Sequence, residues 1–322
     1  MVRGRSSNSR NCTDHYPTKY SRTVLARFLF ILLLLEATAL AATGVAVWRA
    51  GYGPLAAVAT SLALALVWRL AFLTCNFLLS GALSSQTGTT RRMRWQALIG
   101  EATHQARLYP FAQMVGSEWG PNDAKTRQDG PVVVLIHGFL CNARVWRGLG
   151  KELRRAGFGR VHAVNLDPLY RSIEATITQF ERKLQRIMLA EGVSKVVLVG
   201  HSMGGVLARI YCQRHPDQIQ SVLSIGAPHR GTDGALLIGG REHGPPSRRS
   251  QWLDRFNAQH TEEPKLINVW SANDNIVWPQ RSAQLNHVTD YKIAGYGHLH
   301  MLAAPEILQT LLPILEQART ES

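Results

Sequence analysis

The sequence predicts an α/β fold, a mostly parallel sheet with helices on both faces and a small cap, preceded by a hairpin of two apolar helices. Three observations carry this. From Pro131 onward, short Val/Ile/Leu runs alternate with amphipathic helical segments, the pattern of strands buried on both faces. Val196-Val-Leu-Val-Gly-His-Ser-Met-Gly-Gly205 ends such a run in a Gly-x-Ser-x-Gly turn that opens a helix. The long apolar runs, by contrast, lie almost entirely before Ser80.

The elements follow in order. Residues 1–22 form a basic N-terminus, and residues 23–80 hold the two apolar runs, Thr23 to Trp48 and Gly53 to Leu79. Each is long enough to cross the ~30 Å hydrocarbon core as a helix, and the turn Arg49-Ala-Gly-Tyr-Gly-Pro54 joins them as a transmembrane hairpin. A cleaved signal peptide is the competing reading of the first run, but the run exceeds a signal core of about 7–15 residues and a second follows at once. Arg3, Arg5, Arg10, Lys19 and Arg22 precede the hairpin and Arg91, Arg92 and Arg94 follow it. The positive-inside rule then puts both flanks, and the domain beyond, in the cytoplasm. Glu36 and Arg69 fall inside the runs; we expect Arg69 to snorkel to the interface and Glu36 to be tolerated or paired.

Residues 81–130 read as a connector with one helix, Arg91 to Leu108, and a polar stretch, Gly116 to Gly130. Residues 131–322 form the main domain. Strands are expected at Val132–Ile136, Val161–Leu166, Lys195–Val199, Ser221–Ile225, Leu266–Trp270 and Thr289–Ile293. Helices are expected at Ala143–Ala156, Ile173–Ala190, Met203–Arg214 and Pro305–Gln317. Residues 231–263, with Gly239-Gly240 and Pro245-Pro246, are too long for a plain connection and are read as a cap over the carboxyl edge of the sheet.

Composition narrows the class. The formal charge of +14 over 322 residues comes with no nucleic-acid-binding motif, and clusters such as Arg91-Arg92-Met-Arg94 and Arg248-Arg249 suit an anionic lipid surface instead. Cys12, Cys75, Cys141 and Cys212 show no close pairing and read as free thiols in a reducing compartment. No His, Cys and carboxylate cluster has metal spacing, so neither metal nor cofactor is implied.

The Gly-x-Ser-x-Gly turn presents Ser202 at a helix N-terminus, where free N–H groups meet a developing anion. A serine nucleophile also needs a base, a carboxylate to orient it, and two N–H groups for the oxyanion. Asp274 follows the Leu266 strand, and His298 follows the Thr289 strand, which gives the chain order Ser, Asp, His. His300 is the rival base and Asp233 the rival acid. Asp254 and Asp290 read as solvated charges.

Four segments then carry a resemblance: Leu135-Ile-His-Gly-Phe-Leu140, Gly200-His-Ser-Met-Gly-Gly205, Gly226-Ala-Pro-His-Arg-Gly-Thr232 and Gly297-His-Leu-His300. From Pro131 to Gln317 the chain resembles the α/β-hydrolase superfamily, more narrowly its bacterial lipase and esterase branch. The resemblance implies an α/β-hydrolase fold, Ser202 as nucleophile, His298 as general base and acid, and Asp274 as the orienting carboxylate. By position it implies that the backbone N–H groups of Phe139 and Met203 form the oxyanion hole. His137 is then a structural hydrogen-bonder beside Gly138, His201 lines the pocket or packs beside the elbow, and His229 belongs to the scaffold. The expected function is a membrane-anchored serine hydrolase for carboxylic esters, with acyl lipids favoured by its place at a bilayer. An acyltransferase or thioesterase with the same triad, and a non-catalytic interaction module, remain alternatives.

Overall fold

The computed structural model describes residues 24–82, 88–108, 117–121, 130–166, 172–238, 247–248, 250–259 and 262–321. The basic N-terminus with Cys12, much of the polar connector, and residues 239–246 of the expected cap lie outside the described residues.

Six strands form one sheet: β1 Val133–Ile136, β2 Val161–Val164, β3 Val196–His201, β4 Ile219–Ile225, β5 Leu266–Ser271 and β6 Thr289–Ile293. Their order is β2-β1-β3-β4-β5-β6 and every neighbouring pair is parallel. The core has two layers, and the strands alternate between them as a two-residue period requires. Val133 and Leu135, with Val197 and Val199, join Trp146, Leu153, Met301 and Leu311 on one face. Val134 and Ile136, with Val196 and Leu198, join Phe180, Leu184, Leu207 and Tyr211 on the other.

Helices cover both faces. In chain order they are α1 Val24–Arg49, α2 Pro54–Leu79, α3 Arg91–Leu108, α4 Arg147–Arg155, α5 Ile173–Glu191, α6 Met203–Arg214, α7 Gln251–Gln259 and α8 Pro305–Thr320. α5 begins where the Ser172 hydroxyl accepts from the Ala175 N–H at 3.2 Å and stops at Gly192, whose φ of 65° is left-handed. Between these caps Ile177, Phe180, Leu184, Ile187 and Met188 form one buried stripe. The expected single helix over Ala143–Ala156 splits into a 3-10 turn, Ala143–Trp146, and α4. The Asn142 side chain accepts from the Arg144 N–H at 3.0 Å and starts the tighter turn.

Parallel order places the site. The chain leaves β1 toward β2 on one side and later returns to lay β3 on the other, so a crevice opens between the carboxyl ends of β1 and β3. α6 starts directly from β3 at that crevice, and Met203 through Cys212 are all buried.

α1 and α2 pack as an antiparallel hairpin. The Glu36 carboxylate and the Arg69 guanidinium pair across it at 2.8 Å, and the Ser61 hydroxyl donates to the Leu40 carbonyl at 2.9 Å. This corrects the expectation that Arg69 snorkels to the interface. A bidentate partner on the facing helix lies within its reach. Among the described residues, α2 is the one helix long and apolar enough to cross a membrane by length and composition. The first part of the expected first span falls on side chains outside the described residues.

Two further expectations change. Asp290 is not a solvated charge: it accepts from the Asn268 amide at 2.6 Å and the Trp270 indole at 2.7 Å, fixing β6 against β5. The stretch read as a connector also holds more than a link. Trp119 exchanges two backbone hydrogen bonds with Ala163 at the edge of β2, and α3 packs along the segment that follows β6. Among the described residues Cys75, Cys141 and Cys212 form no disulfide.

Glycine is required where α6 meets the sheet. A Cβ on Gly200 would lie 2.4 Å from the Gly204 carbonyl oxygen, and one on Gly204 would lie 2.2 Å from that of Ile136, whereas Gly148 has open space. Both contacts are with backbone, which has no rotamer to yield. Gly200→Ala and Gly204→Ala should each lower the thermal unfolding midpoint by several degrees. Gly148→Ala should leave it unchanged or raise it slightly; equal midpoints in all three variants would contradict this account of the corner.

Candidate active site

Ser202 sits at the corner between β3 and α6 with φ 56° and ψ −127°. For a residue with a Cβ this left-handed backbone costs on the order of 1–3 kcal/mol. The Ser202 N–H donates to the Ile225 carbonyl at 2.8 Å, and glycines on both sides let the helix start close under the strands. Such a corner lifts the hydroxyl away from the sheet instead of into it. Gly138, from the loop after β1, approaches so closely that a Cβ there would lie 2.7 Å from Ser202 Cβ. The loop expected to hold the oxyanion thus lies against the serine. Within it Leu140 also has a left-handed φ, 56°. Met203 is the first residue of α6, where a backbone N–H has no acceptor within the helix.

Asp274 follows β5 by three residues and is 1% exposed, and His298, five residues beyond β6, is 5% exposed. His298 Nδ1 lies 2.8 Å from Asp274 Oδ2 and 3.0 Å from Oδ1. The same carboxylate accepts from the backbone N–H groups of Ile276 and Val277, each at 2.8 Å, so its orientation is set before the imidazole is considered. Nδ1 therefore donates, and Nε2 is the nitrogen left with its lone pair. Burial opposes a charged imidazolium here. The Asp274 charge and its hydrogen bond, with a smaller contribution from Glu101, outweigh that and hold the His298 pKa above its ordinary value.

The rivals separate on geometry. Asp233 pairs with Arg248 at 3.0 Å. His300 packs against His104 and Tyr296, and burial pushes its pKa down. His137 is a structural hydrogen-bonder, as expected: Nδ1 donates to the Gly138 carbonyl at 2.8 Å and Nε2 accepts from the Leu166 N–H at 2.9 Å. Burial lowers its pKa to about 4, which keeps it neutral. His229 is fully buried and meets the Ser224 hydroxyl at 2.8 Å, a scaffold contact.

His201 was expected to line the pocket or pack beside the elbow, whereas Asn273 and Asn275 had not been singled out from the sequence. His201 lies with its ring centroid 4.6 Å from that of His298, and its Nε2 donates to the His298 carbonyl at 3.0 Å. Asn275 accepts from the His298 N–H at 2.9 Å, and Asn273 accepts from the Gly295 N–H at the same distance. Asparagine on each side of Asp274 was the available signal, since a buried amide both donates and accepts. Among the described residues no group of three His, Cys, Asp or Glu could hold a metal ion.

Comparison with known proteins agrees with this geometry at the level of fold. The family model described as alpha/beta hydrolase fold matches residues 131–253. A triacylglycerol lipase of Pseudarthrobacter phenanthrenivorans is 32% identical over 115 residues, 33% of this chain and 35% of that protein. A 1-acylglycerol-3-phosphate O-acyltransferase of Arabidopsis thaliana is 26% identical over 161 residues, 47% of this chain and 34% of that protein. The chain thus spans about a third of the length of the curated relatives it matches. Among solved structures, the mature lipase BlEst2 of Bacillus licheniformis superposes with a TM-score of 0.50 at 15% identity, covering 62% of this chain and 98% of that one. The parallel six-stranded sheet, the corner at Ser202 and these likenesses together give the chain the α/β-hydrolase fold.

Proposed function

We propose that the protein is a membrane-anchored serine hydrolase that cleaves carboxylic esters through an acyl-enzyme. The observation that carries the reading is the buried hydrogen bond from His298 Nδ1 to Asp274, with His298 packed against His201, the residue that precedes Ser202 on its strained strand-to-helix corner. In this reading Ser202 Oγ attacks the ester carbonyl while His298 Nε2 takes its proton. The backbone N–H groups of Phe139 and Met203 hold the oxyanion. His298 then returns the proton to the departing alcohol, and a water molecule, deprotonated by the same nitrogen, releases the acid and frees Ser202. Similarity to a triacylglycerol lipase supports a lipid ester as substrate.

The membrane part of the proposal rests on the composition of α2 and on the Thr23–Trp48 run before it. Two spans, with arginine on both flanks, put the hydrolase domain in the cytoplasm. A second reading is favoured by one observation, the similarity to a 1-acylglycerol-3-phosphate O-acyltransferase. It differs only in the acceptor, an alcohol in place of water.

Three experiments test these statements. Full-length protein in detergent should hydrolyse acyl esters at a rate that rises with chain length, and Ser202→Ala should lower kcat by at least about 10³-fold. Equal rates in the two proteins would remove the mechanism, and acyl transfer to added lysophospholipid outrunning hydrolysis would favour the second reading. The acid limb of kcat/KM should fall at a pH above the ordinary histidine value of about 6.5, because a raised His298 pKa keeps the base protonated to higher pH. Asp274→Asn should move that limb down and cut kcat by on the order of 10³–10⁴-fold. A reporter fused after Ser80 should mark the cytoplasm; an exported reporter would reverse the orientation.

A further inference from the structure

Glu101 is the least expected buried group in the chain. It lies on α3, before the sheet begins, yet it has no exposed surface. Its carboxylate accepts from the Leu299 N–H at 3.0 Å and the His300 N–H at 2.8 Å, the two residues that directly follow His298. Gln105, one turn along α3, donates its amide to the other oxygen at 3.0 Å. These partners are all donors, which suits the ionised carboxylate and leaves a neutral acid with nothing to donate to. The fit depends on glycine. A Cβ on Gly297 would lie 2.7 Å from Glu101 Oε2, and one on Gly100 would lie 2.1 Å from the His300 ring. The helix and the histidine loop therefore meet at closer range than side chains allow.

The Asp274 loop is held from the same direction. Asn275 donates to Asn76 Oδ1 at 2.6 Å, Gln280 donates to the Ser80 carbonyl at 3.0 Å, and Asn273 donates to the Ala82 carbonyl at 2.8 Å, all at the carboxyl end of α2. The same Asn275 accepts from the His298 N–H. Both loops thus hang on the N-terminal helices, through Glu101, Asn273 and Asn275, which are buried, and Gln280, which is half-buried.

We propose that Glu101 is a positioning residue for His298, and that α3 with the end of α2 is a working part of the site as well as a link to the membrane. This rests on the reading of His298 as the base for Ser202. Glu101 fixes the backbone just after the histidine, as Asn275 fixes it at the histidine itself, so that the ring meets both Asp274 and the serine. It also places a second negative charge near the imidazole. The groups that face His298 are Asp274 from the β5 loop, His201 from the end of β3 and Glu101 from α3, with His300 beside it and His104 behind. Burial, the largest cause in each, lowers the pKa of all three other histidines, that of His104 to about 4. Asp274 and Glu101 are then the two carboxylates that face the base; burial pushes the Glu101 pKa up, and the hydrogen bonds from His300, Gln105 and Leu299 oppose that rise.

The test compares wild type, Glu101→Gln and Glu101→Asp as full-length protein in detergent, by ester hydrolysis across pH and by fluorophosphonate labelling of Ser202. Glu101→Gln removes the charge and, with its carbonyl oxygen kept on the Leu299 and His300 N–H groups, sets an NH2 group against the Gln105 amide donor. It should lower kcat by about tenfold or more and move the acid limb to lower pH by several tenths of a unit. Glu101→Asp keeps the charge but withdraws it by one methylene, so kcat should fall with the acid limb little changed. A merely structural role would lower the unfolding temperature and leave the limb in place in both variants. Wild-type kcat and an unshifted limb in Glu101→Gln would overturn the proposal. If that variant fails to fold, wild-type kcat in Glu101→Asp would overturn it alone. Absence of labelling and hydrolysis in the wild type would instead overturn the reading of Ser202, and this inference with it.

Discussion

Everything around the candidate site is arranged by one buried hydrogen bond, from His298 Nδ1 to the Asp274 carboxylate. The two residues come from different loops, after β5 and after β6. Asp274 is oriented by the N–H groups of Ile276 and Val277, and His298 by acceptors on Asn275, His201 being its third contact through the carbonyl. A carboxylate and an imidazole without water around them lose solvation on burial, and only correct geometry returns it. That requirement accounts for the density of amide side chains in Asn273-Asp274-Asn275. Each asparagine donates to the end of α2 or the residues just beyond it and accepts from the loop that carries His298.

The parallel sheet provides the frame on which these loops meet. Strand order turns back between β1 and β3, so Gly138 and Ser202 face each other across the crevice, while β5 and β6 deliver the acid and the base from one side. The corner at Ser202 shows how local strain is tolerated. Its left-handed backbone is braced by Gly200 and Gly204 packed against backbone carbonyls, and by the N–H of Ser202 bonded to Ile225. Stability given up at one residue is offset by the burial of α6, nearly all of whose length lies within the core.

What could be read from the sequence was local or periodic. β6 and α6 have the limits their patterns implied, and β3 runs two residues further, to His201, because glycine and histidine can extend a strand that apolar counting ends early. Ser202, Asp274 and His298 stood out as candidates because each follows a recognisable strand within a few residues. Glu101 was not. Nothing in the run Gly100-Glu-Ala-Thr-His104 marks a buried acid, since its partners lie 198 and 199 residues along the chain. The structural use of Asp290 was hidden for the same reason, and the pairing expected for Glu36 had no partner assigned to it: each depends on a residue in another element, and sequence period reports only the element itself.

The Glu36–Arg69 pair has a consequence for how the chain is made. Inserted singly, a charged residue near the middle of an apolar helix costs about 2.5–3.5 kcal/mol on the scale set by cellular insertion. The two charges lie 33 residues apart and on facing helices. The first helix therefore gains its counter-ion only once the second has been synthesised and folded back beside it. In the proposed membrane arrangement, the hairpin then enters the bilayer most readily as one neutral unit, so the first helix waits at the membrane for its partner instead of crossing alone.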